Sequence, residues 1–163
     1  MSLKRNDIKH TALNAFMIIC FTQFLNSHSL SGKTFYNPTG SYELVSKKKV
    51  KNGETYGYHG EIHIKLLDSA HIAMSFYVCK GAPGYNSGSF VDTLDYENSI
   101  VVYTTDQDPS CRITFTFSKS GVAVDEIANN YNNGCGFGHA VVASGFYKKI
   151  SSKEPEIRDL MAD

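Results

Sequence analysis

From position 56 to position 66 the chain reads YGYHGEIHIKL. In an extended backbone Tyr58, Ile62, Ile64 and Leu66 share one side, and His59, Glu61, His63 and Lys65 share the other. Side chains alternate across a strand with period two, so this pattern predicts a β-strand with an apolar face toward a core and a polar face toward water. The alternation recurs outward in both directions. Residues 41–46, 71–80, 87–94, 100–105, 111–117, 122–127 and 139–149 read the same way, with Ile72, Met74, Phe76 and Val78 aligned in one run and Cys111, Ile113, Phe115 and Phe117 in another. Helical periodicity is nearly absent after Gly40.

The breaks between the runs carry turn chemistry: Lys51-Asn52-Gly53, Leu67-Asp68-Ser69, Gly81-Ala82-Pro83-Gly84, Gln107-Asp108-Pro109 and Ser118-Lys119-Ser120-Gly121. Short strands joined by short turns predict an all-β fold, an antiparallel meander of about eight strands. Closing into a small lipocalin-like barrel hides the apolar faces and the free edges together; a two-sheet sandwich is the competing arrangement. The tail after Ile150 is polar, and Ile157, Leu160 and Met161 are spaced for a short helix over residues 155–162 that would dock on the barrel.

The chain has 163 residues, with 16 Lys and Arg balancing 16 Asp and Glu. Zero net charge argues against a dedicated nucleic-acid binder, and 42% hydrophobic residues argue against wholesale disorder. Near the start, Lys4, Arg5 and Lys9 precede an apolar run at 12–25, and Ser27 and Ser29 then stand at the −3 and −1 positions of a cut before Leu30. A basic start, a short apolar middle and small residues at the end make a secretory signal peptide. The run of about 14 residues is short of the roughly 20 that cross a bilayer as a helix. Ile18 and Ile19 before Cys20 do not fit a lipoprotein signal. The expected organisation is therefore a signal peptide at 1–29, a β-barrel domain at 30–150 and a polar tail or short docking helix at 151–163, in a periplasmic or secreted protein.

Export places the cysteines in an oxidising compartment. Cys111 starts a strand and Cys135 lies in a Gly-rich loop, and this pair is expected to be bridged. Cys79 is then a free, buried thiol on a strand.

The final third carries a resemblance. Cys111-Arg112-Ile113-Thr114-Phe115-Thr116-Phe117, Cys135-Gly136-Phe137-Gly138-His139-Ala140-Val141 and Gly145-Phe146-Tyr147-Lys148-Lys149 look like small exported bacterial β-barrel proteins of unknown activity. In those a C-G-x-G turn precedes a last strand ending G-x-Y-K. In architecture this resembles the periplasmic lysozyme inhibitors, small disulfide-bonded barrels that enter the enzyme's cleft with an S-G-x-x-Y-type segment. Here Ser144-Gly145-Phe146-Tyr147 is one residue shorter, and Ser87-Gly88-Ser89-Phe90 carries Phe in place of Tyr. Read without the resemblance, Gly136 and Gly138 make a turn around Phe137, and Gly145 marks a bend at a barrel corner.

Candidate sites divide into three groups. His59, Glu61 and His63 offer metal-ligand chemistry on one side of a strand. Strand rise spaces them roughly 7 Å apart, with His59 and His63 about 13 Å apart, so one ion needs a second strand to bring His71 or His139 alongside. The plainer reading is a solvated outer face, with no metal and no cofactor. Asp92, Asp95 and Glu97, and the acids of Thr105-Asp106-Gln107-Asp108, read as solvated loops. The basic run Lys47-Lys48-Lys49-Val50-Lys51 reads as a soluble turn or as a contact for an anionic surface such as lipid head groups or an acidic protein. The third group is two loops in which aromatics are set among small hydrogen-bonding residues: Tyr85, Asn86, Ser87 and Phe90, and Tyr131 and Asn132 among asparagines. Such loops on a rigid barrel make adaptable contact surfaces.

The expected function is a non-catalytic exported binding protein that recognises a protein or glycan of the cell envelope through barrel-end loops, with lysozyme-type inhibition as one mode. No nucleic acid and no stable membrane insertion are expected. The alternatives are a carrier of a small apolar ligand inside the barrel, and a metal-dependent enzyme using the His59, Glu61 and His63 face.

Overall fold

A computed structural model of the chain describes residues 35–161. The expected signal peptide lies outside the described residues. The described strands are β1 (Gly40–Leu44), β2 (Lys49–Lys51), β3 (Glu54–Leu66), β4 (His71–Gly81), β5 (Ser87–Asp95), β6 (Ile100–Thr105), β7 (Asp108–Phe117), β8 (Gly121–Ile127) and β9 (Gly145–Ser151), with one 3₁₀ turn at Gly134–Gly136.

Hydrogen-bonded neighbours run β5-β4-β3-β1-β9-β8-β7-β6, with β2 paired to β3 alone. Every ladder is antiparallel, and β1 joins the first half to the last by pairing with both β3 and β9. The sheet is the expected up-and-down barrel of eight strands, nearly closed; the circuit is open between β5 and β6. Registers set the alternating apolar residues opposite one another: Ile62 faces Tyr42 and Phe76, Ile64 faces Met74, and Val101 faces Phe115. All of these are buried.

The core is aromatic at its centre. Around the Phe76 ring lie Phe90 at 5.3 Å, Phe115 at 5.7 Å, Tyr147 at 5.9 Å and Phe137 at 6.0 Å between centroids. The stripes Ile62/Ile64/Leu66, Ile72/Met74/Phe76 and Ile113/Phe115/Phe117 pack on one another in this core. Removing a ring of this kind typically costs about 3–5 kcal/mol.

Two expected elements differ. Residues 139–149 do not form one strand; β9 begins only at Gly145. Ala140 sits at φ +52°, which ends any extended run. Further on, side chains replace the ladder: Glu126 N donates to Ser144 Oγ at 2.9 Å and Ala143 N donates to a Glu126 carboxylate oxygen at 2.5 Å. Gly145 therefore opens β9 and does not bend it from within. Nor is the helix expected over 155–162 formed through residue 161, beyond which the tail lies outside the described residues. The segment docks as irregular chain on the outer face of β3, β4 and β5. Lys65 Nζ pairs with Glu154 at 2.6 Å, Arg158 N donates to Ser75 Oγ at 3.0 Å, and Ser87 Oγ reaches Met161 Sδ at 3.9 Å. A helix of two turns is marginal in water, and the polar groups of β3 and β4 offer the tail backbone an alternative partner.

Candidate functional site

The strand directions sort the connections between the two ends of the barrel. One end carries the tight turns after β3, β5 and β7. The other carries the β1–β2–β3 hairpin, the β4–β5 loop, the β6–β7 turn and the long β8–β9 connection at residues 128–144. Both aromatic loops singled out from the sequence therefore lie at the same end.

The β8–β9 connection caps that end. It is tied to β7 by a disulfide between Cys111 and Cys135, with Cα atoms 5.0 Å apart, and Cys79 is free and buried as expected. Phe137 is driven into the core, where its ring lies so close over Gly88 that a Cβ there would sit 2.2 Å from the ring. Gly138 N donates to Ser87 O at 2.8 Å. Lys80 Nζ donates to His139 O at 3.3 Å and Tyr58 OH to Ala140 O at 3.0 Å. The C-G-x-G sequence is thus a plug: Gly136 takes φ +73° beside the Gln107 carboxamide, a backbone conformation that side chains rarely adopt.

Two carboxylates beneath the cap have opposite electrostatics. Asp108 accepts Ser110 N and Oγ on one oxygen and Cys135 N on the other. These bonds to the charged form hold its pKa below the usual value. Glu126 faces inward in line with Val122 and Val124 and is buried. Burial pushes its pKa up, against the bond from Ala143 N, and Asp108 adds to the rise. One of its oxygens is buried with no hydrogen-bond partner. A buried, uncompensated acceptor of this sort costs about 1–3 kcal/mol.

Beside the cap, Gln107, Asp108, Pro109, Ser110, Asn129, Asn130 and Asn133 line an open depression of about 540 Å³. Tyr131, between the lining residues Asn130 and Asn133 in the chain, is 44% exposed and donates its hydroxyl to Glu126 O at 3.4 Å. Asn132 is exposed, and its backbone is held by Asn130 Oδ1 and Ala140 N. Tyr85, 45% exposed, and half-buried Asn86 occupy the β4–β5 loop. Ser87 already belongs to β5 and receives the cap through its carbonyl. Phe90 lies on the inner side of β5, packed between Phe76 and Tyr103.

The imidazoles do not converge. His63 Nε2 is 3.5 Å from Glu61 Oε2, while His59 Nδ1 approaches Gly57 O at 3.3 Å and its ring meets Tyr77 edge-on. Burial and a hydrogen bond with Cys79 push the Tyr77 hydroxyl up to about 12. His71 sits with Asp68 and Asp95 at the opposite end of the barrel. Among the described residues no three His, Cys, Asp or Glu side chains form a metal-ligand group, and no helix is long and apolar enough to cross a membrane.

Glu126 and the Gln107 carboxamide are absent from the candidates read from the sequence, whereas Asn129 and Asn133 belong to the asparagine loop around Tyr131. A signal existed for the first: a charged residue at an inward position of the 122–127 alternation. No protein-family model, curated protein or solved structure matches this chain.

Proposed function

We propose that the chain is an exported, non-catalytic binding protein that takes a glycan or protein of the cell envelope on the capped end of the barrel. The observation that carries this reading is the cap. A single connection crosses the loop end and is pinned by a disulfide, an inserted ring and hydrogen bonds to β3, β4 and β5. It presents Tyr131, Asn132 and neighbouring carboxamides outward beside an open polar depression. Rigid aromatics set among amide groups offer stacking and hydrogen bonding at little ordering cost. The disulfide fits an oxidising compartment, and the tightly packed aromatic core favours a surface site over a carrier cavity.

The test is titration of cell-wall glycan fragments, and separately of a lysozyme, against the wild-type protein and a Tyr131→Ser, Asn132→Ala variant. Wild-type binding to one of them, lost at least tenfold in the variant, is expected. Equal binding by both proteins, or none by either, removes the cap as the site.

A further inference from the structure

At the same end of the barrel, one hairpin stands outside the eight-strand circuit. β2 pairs only with the first residues of β3, setting Lys49 opposite Tyr56 and Lys51 opposite Glu54 around an Asn52-Gly53 turn with both residues at positive φ. Positive φ at both central positions makes the tight hairpin turn that keeps the two strands twisted together. Lys47, Lys48, Lys49 and Lys51 occupy four of five consecutive positions and are exposed. Only Lys48 has an ion-pair partner, Glu43; among the described residues Lys47, Lys49 and Lys51 have none. Two valines are exposed with them, Val50 at 72% and Val45 at 61%. The β4–β5 loop runs alongside, Ala82 N donating to Thr55 O at 2.7 Å, and adds exposed Tyr85 to exposed Tyr56.

We propose that this hairpin docks the protein on the surface of a bilayer rich in anionic phospholipid. Lysines alone would suit any polyanion. Valines left in water among them, with two tyrosines at the margin, suit an interface whose charged plane overlies hydrocarbon. Lysines there meet the head groups, tyrosine rings settle at head-group depth, and short apolar side chains leave water. The contact is peripheral: a hairpin has no means of satisfying its backbone inside the hydrocarbon.

The experiment uses the full chain with vesicles of phosphatidylcholine alone or with about one-third phosphatidylglycerol. The chain contains no tryptophan, so Tyr56→Trp makes the hairpin its own reporter, separate from anything the apolar run at 12–25 contributes. Expected are a blue shift of the tryptophan emission on the anionic vesicles only, and its loss with rising salt as screening shortens. Adding Lys47→Ser, Lys48→Ser, Lys49→Ser and Lys51→Ser should weaken this signal about tenfold or more. The proposal is overturned by an equal shift on both vesicle types, by no shift on either, or by survival of the signal in the lysine variant. It is also overturned if soluble polyglutamate produces the same shift, which would make the partner an acidic chain. Because no cap residue is changed, failure here leaves the Tyr131 surface untouched.

Discussion

Phe90 and Tyr103 stack across the open seam of the barrel, with ring centroids 3.9 Å apart and planes 3° from parallel. They belong to β5 and β6, neighbours in the circuit that share no ladder. Ring contact there does what backbone bonds do elsewhere, leaving two strand edges that must be kept from pairing with other chains. Tyr103→Ala should therefore cost about 2 kcal/mol in urea unfolding. A double-mutant cycle with Phe90→Ala should return a coupling of about 1 kcal/mol. Additive losses would mean the two rings stabilise the fold independently.

Gly88 is the seat of Phe137, so adding one methyl group tests how tightly the cap is fastened. A Cβ at 2.2 Å from the ring forces Phe137 to move. Gly88→Ala should destabilise by about 1–3 kcal/mol, the usual penalty for overpacking. It should also speed hydrogen exchange at Gly138 N, whose acceptor is the adjoining Ser87 carbonyl. A variant with unchanged exchange at Gly138 would show that the cap does not depend on the inserted ring.

Glu126 predicts a particular slope of stability with pH. Burial raises its pKa, so the folded chain holds this proton more tightly than the unfolded chain does. Its contribution is complete below the ordinary value of 4.5 and is lost as pH rises from there through the raised value. Asp108 and Asp68, both lowered by hydrogen bonds to their charged forms, act in the opposite sense and lose their contribution as pH falls. His71, raised by Asp68, contributes at low pH and loses that contribution as pH rises through its raised value. Glu126→Gln removes one of these slopes and keeps an oxygen for Ala143 N. Urea midpoints of variant and wild type, compared at steps from pH 4 to pH 7, should shift in the variant's favour as pH rises. Parallel profiles would sink the assignment.

The strands were legible because the two sides of residues such as Ile62 and His63 differ so plainly in polarity, and the turns because Asn52-Gly53 and its counterparts allow few other conformations. The disulfide was legible from strand and loop placement. What escaped was long-range. Nothing local to 139–144 says that Glu126 and Ser144 will substitute for a ladder, so the stretch around Val141 and Val142 read as strand. Nothing local to 155–161 says that Ser75 on β4 will take the backbone of Arg158. The loop aromatics Tyr85 and Tyr131 were readable as exposed, yet Phe90 in the same stretch was not readable as a seam residue, because its partner Tyr103 comes from a strand with no ladder to β5.

The disulfide separates what holds the cap from what holds the barrel. Cys111 and Cys135 are 24 positions apart, and bridging a loop of that size restricts the unfolded chain by about 3 kcal/mol on a chain-entropy account. Cys111→Ser with Cys135→Ser should lower the unfolding free energy by about that much. The barrel should still form, because its ladders and the Phe76 cluster do not pass through the bridge. The cap should not detach either, since Phe137 remains seated and Glu126 still receives Ala143 N. Protection from exchange at Cys135 N, which donates to Asp108, should fall more than protection at Ala143 N. Thiol labelling supplies the control: Cys79, buried on β4, should stay unreactive in the native variant and react once denaturant is added. Equal loss of protection at the two amides would mean that the bridge supports the whole connection, and that the inserted ring and the buried carboxylate merely follow it.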